Sequence, residues 1–340
     1  MVLVTGATGF LGSHLMIYLL ENDEKVVAIY RDEIGIKKSK SLFSILKREA
    51  LFEHIQWIEA DILDIPSLEI AFQNIKTVYH CAALISFDPK DENLLRKINI
   101  EGTANIVNFC LEFEVEKLCY VSSTSALGDL LDPKQKITET TEWNPEINHS
   151  DYAISKYGGE IEVWRGQQEG LNVVVVNPGV ILGVTTNWQE GSGKIFASVA
   201  KQNYFYTNGS SGFISVNDVV KIMFELMKSN LKNKKYILVA ENITFKALLD
   251  EIAENLAVVK PKFHANPLLI GIAWRLDWLI SALFSKDRNL SRMMAKLLHS
   301  TDLYANEKIK KALNFEFESI TDTIQNTAKY YKMNATNQSN

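Results

Sequence analysis

Short runs of β-branched and other apolar residues recur through the first half of the chain, at Val2–Thr5, Val26–Tyr30, Gln56–Ala60, Thr77–Cys81, Lys117–Ser122 and Asn172–Asn177. A segment of helical length separates each run from the next. Within VLV, VVAI and VVVV the apolar positions are consecutive rather than alternate, as expected of strands covered by helices on both faces. The alternation predicts βαβ units and a central parallel sheet, an α/β fold. After Pro178 the rhythm gives way to loops rich in Gly, Ser and Asn at 183–193 and 207–212, one further strand at Tyr236–Ala240, and helical patterns to about residue 331. The expected organisation is a sheet domain over 1–180, to which 214–240 returns, and a smaller, mostly helical lobe from 181–213 and 241–331. Residues 332–340, ending in NATNQSN, read as a mobile polar tail.

One late segment is apolar enough to need separate treatment. Leu268–Phe284 (LLIGIAWRLDWLISALF) has 17 residues with Arg275 and Asp277 in its middle, and mid-bilayer charges cost about 2.5 to 3.5 kcal/mol each on insertion scales. No integral span is expected. The segment reads as a packed helix of the second lobe, with an interfacial helix that covers an apolar substrate or touches a membrane peripherally as the alternative.

Composition narrows the classes. With 340 residues, 46% hydrophobic and 23% charged, the chain has ample material for a core. A net charge of -5 provides no basic field for nucleic acid or an anionic membrane, so small molecules are the expected partners. Three cysteines lack CxxC spacing and none of six histidines stands at metal-ligand spacing from another donor, so no metal site is expected. The thiols and the absence of a secretory pattern at the first residues predict a cytoplasmic protein.

The first chemical signal is Thr5-Gly6-Ala7-Thr8-Gly9-Phe10-Leu11-Gly12, set between the first strand and an amphipathic helix. Gly6 allows the tight turn, Gly9 lets backbone approach a pyrophosphate, and Gly12 lets the helix lie close to the sheet. Thr8, Phe10 and Leu11 complete the helix start, where free N–H groups and the positive dipole end attract phosphate. This is a Rossmann-type dinucleotide turn. Nineteen residues past Gly12, where an acidic residue would bind the ribose hydroxyls of NAD, stands Arg31, with Lys37, Lys38 and Lys40 behind it. A guanidinium there suits a 2′-phosphate, and NADP(H) is expected over NAD(H), unless Asp32 turns inward.

The second signal lies at the end of the fifth strand run, Ser122-Ser123-Thr124, and at the start of the next helix, Tyr152-Ala-Ile-Ser-Lys156. Tyr152 and Lys156 share a helix face. An ammonium beside the phenol is expected to pull its pKa down from about 10 towards the working range of a general acid/base. A strand-end serine hydroxyl can hold the reacting oxygen. YxxxK alone is weak, and Tyr304 and Lys308 repeat it at the start of what reads as a surface helix. Only the first copy lies at the carboxyl edge of the sheet, where such folds bind ligands.

In this order the elements resemble the extended short-chain dehydrogenase/reductases, closest in pattern to the dihydroflavonol-reductase-like and hydroxysteroid-dehydrogenase-like members. The matching residues beyond the glycine turn are Asp61-Ile62, His80-Cys81-Ala82-Ala83, Asn99, Ser123, Tyr152/Lys156, Pro178-Gly179 with Val180, and FISVNDVV at 213–220. The match spans residues 1 to 240. The resemblance implies cofactor contacts at Asp61, Ile62, Ala82, Ala83, Pro178 and Val180, and hydride transfer at C4 of a nicotinamide. It implies that Tyr152 exchanges the proton, Lys156 holds the ribose and tunes Tyr152, and Ser123 polarises the substrate oxygen. Asn99 either supports a water-mediated proton relay or holds neighbouring backbone. Leu127 departs from the tyrosine usual in the strand-end segment, and Thr124 is adjacent and could substitute for Ser123. Arg31 is unusual for the nucleotide-sugar branch. The late YxxxK copy is similar to a structural element of the family, with Asn314 replacing a glycine.

Candidate pocket walls are Leu84, Ile85, Phe87, Thr124, Leu127, Trp188, Phe196, Phe205 and Phe213. The expectation is an NADP(H)-dependent oxidoreductase, monomer or homodimer, reducing a ketone or aldehyde of a small, largely apolar substrate to an alcohol. The alternatives are a nucleotide-sugar epimerase or dehydratase with tightly bound NAD, and a cofactor-sensing protein without chemistry.

Overall fold

In the computed structural model the described residues are 1–130, 132, 135–202, 204–284 and 290–337. The strands are β1 (Val2–Thr5), β2 (Val26–Tyr30), β3 (Gln56–Glu59), β4 (Thr77–His80), β5 (Lys117–Val121), β6 (Val173–Pro178), β7 (Val180–Leu182), β8 (Phe205–Tyr206), β9 (Ser210–Ser215), β10 (Lys234–Leu238), β11 (Glu241–Thr244) and β12 (Phe263–His264). Seven of them form one parallel sheet in the order β10-β6-β5-β4-β1-β2-β3. The order reverses between β1 and β4, and the crevice outside the carboxyl ends of those strands is where open α/β sheets bind ligands.

The consecutive apolar runs are explained by what covers them. Leu3, Val4 and Val173–Val176 have no exposed surface, since helices lie on both faces, and burying each such side chain contributes about 1.5–3 kcal/mol. On one face helix Phe10–Glu21 packs against Val216–Lys228, with Leu15, Leu19, Val219 and Met223 in one apolar cluster. On the other, helices Gly102–Glu112 and Asp151–Gln168 contribute Ile106, Val107, Cys110 and Val163. Residues 214–240 thus add a helix and edge strand β10 to the sheet.

The remaining chain forms a second lobe. Strand β9 pairs parallel with β7 and antiparallel with β11. Beside them Leu182, Trp188, Phe196, Phe213, Leu248, Ile252 and Ile324 form a separate core. The last helix, Ile320–Asn337, continues through 332–337 of the expected tail, and residues 338–340 lie outside the described residues.

Helix Pro267–Phe284 does not pack as expected. Leu268, Leu269, Ile272, Leu276, Trp278, Leu279 and Ile280 are all exposed, while Asp277 turns to the protein and accepts a hydrogen bond from the Leu290 amide (3.1 Å). Among the described residues no helix is long and apolar enough to cross a membrane.

The two lobes are joined at His14. Its Nε2 lies 2.8 Å from the Val184 carbonyl, and burial pushes its pKa from 6.5 to about 4, against the raising effect of that hydrogen bond. A folded pKa below the unfolded one gives stability that is complete above about 6.5 and declines as pH falls toward about 4. The slope is on the order of 1.4 kcal/mol per pH unit. Thermal melts of wild type and His14→Gln between pH 7 and 5 should show a shallower acid-side fall in Tm for the variant; parallel curves would contradict this.

Candidate active site

The glycine turn is built from close backbone approaches. Gly6 has φ +64°, and a Cβ there would stand 2.6 Å from the Ala82 amide nitrogen. A Cβ on Gly12 would overlap the Gly6 carbonyl. Gly9 differs. It is exposed, and a Cβ there would meet only the Gly6 oxygen, at 3.2 Å. Gly9 is also the N-cap of helix Phe10–Glu21 and supplies no side-chain partner, so the first-turn N–H groups of Phe10 and Leu11 have no intrahelical acceptor. An open face of backbone at a positive helix end fits a pyrophosphate. Thr8 packs against Gly35 at the start of the next helix, where a Cβ would come within 2.9 Å of the threonine hydroxyl.

At the ribose end of this cradle Asp32 caps helix Glu33–Ile45, accepting from the Gly35 amide at 2.7 Å. Its carboxylate is thereby committed to the helix rather than turned inward. Arg31 is exposed. Asp61 folds its carboxylate onto the Leu63 amide (2.9 Å), and buried Ile62 packs under Gly102. Pro178 is buried at the end of β6, and half-buried Val180 opens β7 beside it.

A chain of hydrogen bonds runs from the turn to helix Asp151–Gln168, which carries Tyr152 and Lys156. The Ala82 amide donates to Thr5 Oγ1 (3.2 Å), and Thr5 Oγ1 lies 2.6 Å from His80 Nδ1. His80 Nε2 lies 3.0 Å from Thr103 Oγ1, which donates to the Asn99 carbonyl (2.7 Å). Since the Thr103 proton is used there, His80 carries its proton on Nε2, and Nδ1 accepts from Thr5. Burial lowers the His80 pKa to about 3, helped by the charge of Lys156. The ring is neutral.

Asn99 lies in a π-helical turn, Lys97–Glu101, a deviation that often marks functional sites. Its amide accepts from the Leu84 N–H (2.8 Å) and donates to the Leu84 carbonyl (2.9 Å) and to Ser155 Oγ (2.8 Å). Ser155 donates in turn to the Tyr152 carbonyl (2.8 Å). Of its two readings, holding backbone is the one this geometry displays.

Tyr152 and Ser123 are brought together, close enough for the Ser123 hydroxyl to act on the Tyr152 phenol and pull its pKa downward. Ser123 Oγ also accepts from the Ser125 amide (3.1 Å), capping the short turn Thr124–Ala126, and its carbonyl accepts from Asn177 Nδ2 (3.0 Å). The expected lowering of the Tyr152 pKa is not found. Burial raises it, and only the Ser123 hydroxyl opposes this. The reason is where Lys156 goes: Nζ donates to the Val121 carbonyl at 2.7 Å and sits 4.7 Å from the centre of the Tyr120 ring. Burial brings the Lys156 pKa down to about 8, against the raising effect of Glu160.

Glu160 was not anticipated. One turn beyond Lys156, it is 3% exposed. It accepts from Ser122 Oγ (2.8 Å), Asn177 Nδ2 (3.0 Å), Trp164 Nε1 (3.2 Å) and Lys235 Nζ (3.2 Å). The sequence signal available was a carboxylate four residues past the lysine on the same helix face.

The pocket candidates are not gathered. Phe87 packs on Tyr152, ring centres 5.6 Å apart, and Thr124 adjoins Ser123. Ile85 is exposed nearby in sequence, beside Leu84. Leu127 is instead core, with Ile137, Ile237 and Val239. Trp188, Phe196 and Phe213 fill the core of the second lobe, and Phe205 is exposed on β8 against Phe263. Large apolar side chains find more area to bury between layers than at a cleft. Tyr304 also differs from expectation: it is buried before helix Glu307–Leu313, near enough to Thr124 for that hydroxyl to oppose the upward push of burial on its pKa. Lys308 donates to the Lys235 carbonyl (2.7 Å).

A Rossmann sheet with a dinucleotide cradle and a Ser/Tyr/Lys set at its carboxyl edge defines a nicotinamide-dependent enzyme. The chain belongs to the NAD dependent epimerase/dehydratase family, whose model matches residues 2–240, and so to the extended short-chain dehydrogenase/reductases. It is 26% identical to sterol demethylase protein B of Methylococcus capsulatus, over 84% of this chain and 83% of that protein. It is 29% identical to a putative dihydroflavonol 4-reductase of Synechocystis, over 80% of this chain and 77% of that one. Among solved structures, a UDP-glucose 4-epimerase of Thermotoga maritima with UDP-glucose superposes with TM-score 0.76 at 19% identity, covering 98% of this chain and 99% of that one. This last likeness is one of fold.

Two measurements test the assignments made from this geometry. Gly12→Ala should destabilise the protein by about 1–3 kcal/mol through overpacking, whereas Gly9→Ala should leave Tm nearly unchanged and weaken dinucleotide binding in calorimetry; the reverse pattern would exchange the two roles. Glu160→Gln removes the charge that holds the Lys156 pKa up, so the alkaline limb of the kcat/KM profile should move from about 8 to lower pH. An unmoved limb would disconnect Glu160 from Lys156.

Proposed function

We propose that the protein is an NADP(H)-dependent oxidoreductase that reduces a ketone or aldehyde of a largely apolar substrate to an alcohol. The observation that carries the reading is the neighbouring Tyr152 and Ser123 side chains at the carboxyl edge of the sheet, with buried Lys156 on the same helix as Tyr152. In this reading residues 1–180 with 214–240 hold the cofactor, and 181–213 with 241–331 enclose the substrate. When bound, the nicotinamide supplies the hydride. Gly6, Thr8, Gly9, Phe10, Leu11 and Gly12 hold the pyrophosphate. Asp61, Ile62, Ala82, Ala83, Pro178 and Val180 line the rest of the cofactor site.

Ser123 donates to the substrate oxygen and fixes it beside Tyr152, and Tyr152 gives that oxygen its proton. A phenol whose pKa is raised by burial is fully protonated at neutral pH and ready to act as the acid. Lys156, whose ammonium is turned to the Val121 carbonyl and the Tyr120 ring, holds the cofactor ribose in this reading. Arg31 faces the 2′-phosphate, supported by its exposure and by the commitment of Asp32 to its helix. The names of the two relatives, a sterol-processing protein and a dihydroflavonol reductase, support an apolar ring-bearing substrate.

The second reading, a nucleotide-sugar epimerase with retained NAD, is favoured by the fold likeness to the Thermotoga maritima enzyme. Consumption of NADPH against a panel of apolar ketones and aldehydes separates the two, since an epimerase consumes none and retains NAD through purification. Tyr152→Phe should lower turnover by about 10²–10⁴-fold. Arg31→Ala should weaken NADPH binding roughly ten- to hundredfold with little effect on NADH; equal losses for both would return the assignment to NAD.

A further inference from the structure

Helix Pro267–Phe284 turns much of its apolar surface outward. Leu268, Ile272, Leu276 and Ile280 recur every four residues, with Leu279 beside them, and form one stripe. That stripe is exposed: Leu268 is 73% exposed, Leu276 53% and Ile280 48%, and Trp278 is exposed as well. The half-buried side carries Ile270, Ala273, Trp274 and Asp277, whose carboxylate accepts from the Leu290 amide. The chain enters this helix two residues after β12, and on the β8/β12 ribbon Phe205 and Phe263 lie together with ring centres 5.9 Å apart and are 52% and 58% exposed. Exposed apolar surface of this extent marks a contact surface.

Charge identifies what the contact is with. Between Ala257 and Ser300 the sequence has seven lysines and arginines against two acidic residues, in a chain whose overall net charge is -5. Among the described residues Lys262, Arg275, Arg292 and Lys296 are exposed around this helix, and Lys260 pairs with exposed Glu254 at 3.2 Å. The whole-chain average conceals this local basic field. A second copy of the chain would set cation against cation, and an apolar face ringed by cations complements a layer of acyl chains under anionic headgroups.

We infer that helix Pro267–Phe284, with the Phe205/Phe263 ribbon, is an interfacial anchor that seats this enzyme on the surface of an anionic lipid membrane. Arg275 and Asp277 forbid a span, and the helix lies in the headgroup plane with its stripe toward the acyl chains.

Flotation of the full chain with vesicles tests the inference. The protein should rise with vesicles of phosphatidylcholine mixed with phosphatidylserine and remain below with phosphatidylcholine alone. Leu276→Asp combined with Ile280→Asp changes only exposed positions and should lower vesicle binding at least tenfold, with Tm and NADPH binding unchanged. Lys262→Glu combined with Arg292→Glu should act independently, since each basic residue near such a surface is worth roughly fivefold. Absence of flotation with the mixed vesicles overturns the inference, as does undiminished flotation of the leucine/isoleucine variant. So does lipid-free dimerisation of wild type that the same variant abolishes, which would make the occupant a second copy.

Discussion

The site depends on one buried hydrogen-bond path. It leaves the glycine turn at Thr5, crosses β1 to β4 through neutral His80, passes Thr103 to Asn99, and reaches helix Asp151–Gln168 through Ser155. Every proton on the path has one acceptor, so its polarity is fixed. Each bond contributes about 1 kcal/mol net, but an orphaned buried partner costs the full desolvation of that group, about 1–3 kcal/mol. The path thus behaves as a clamp with one low-energy setting. It ties the backbone that receives a dinucleotide to the backbone that presents Tyr152, and hydride chemistry requires reacting groups held within fractions of an ångström. Protonating His80 would turn Nδ1 into a second donor facing Thr5, and burial prevents this down to about pH 3.

Charge is managed behind the clamp. A buried ammonium is disfavoured, which is why the Lys156 pKa falls to about 8. Without a counter-charge it would fall further. Glu160 supplies that charge, and its own desolvation is offset by three neutral donors and by Lys235. Asn177 spans both systems, donating to Glu160 and to the Ser123 carbonyl. The carboxylate that holds the Lys156 pKa up therefore also fixes the strand end that presents Ser123. Buried ion networks seldom add much stability, and this one is explained better by what it holds in place.

Strand periodicity, the glycine turn and the Tyr152/Lys156 spacing were legible because each reflects local backbone rules: burial on two faces, close approach at Gly6 and Gly12, four residues per helical face. What was not legible depends on which elements meet. Tyr304 reads as surface until β9, β11 and the Thr124 turn enclose it. Leu127, Trp188 and Phe213 are apolar whether they line a pocket or fill a core, and sequence does not distinguish the two. Asp32 is intermediate. An Asp three residues before Gly35 at a helix start is a capping signal, and reading it would have strengthened the case for Arg31. For helix 267–284 sequence leaves a packed and an interfacial helix open, because apolar periodicity tells which residues share a face but not which way the face points.

The direction of that face bears on how an apolar substrate would reach the site. Beyond helix Arg292–Leu297 the chain runs along Gly209 and Ser210 at Ser300 and Thr301 and brings Tyr304 to Thr124, next to Ser123. An apolar molecule leaving a bilayer for water gives up about 25 cal/mol for each Å² of apolar surface exposed, which for a molecule with a few hundred Å² amounts to several kcal/mol and a correspondingly low aqueous concentration. An enzyme seated on the bilayer draws instead on the membrane-dissolved pool. On the proposed function and the inferred anchor together, the exposed helix and the apolar substrate class would be two consequences of one constraint.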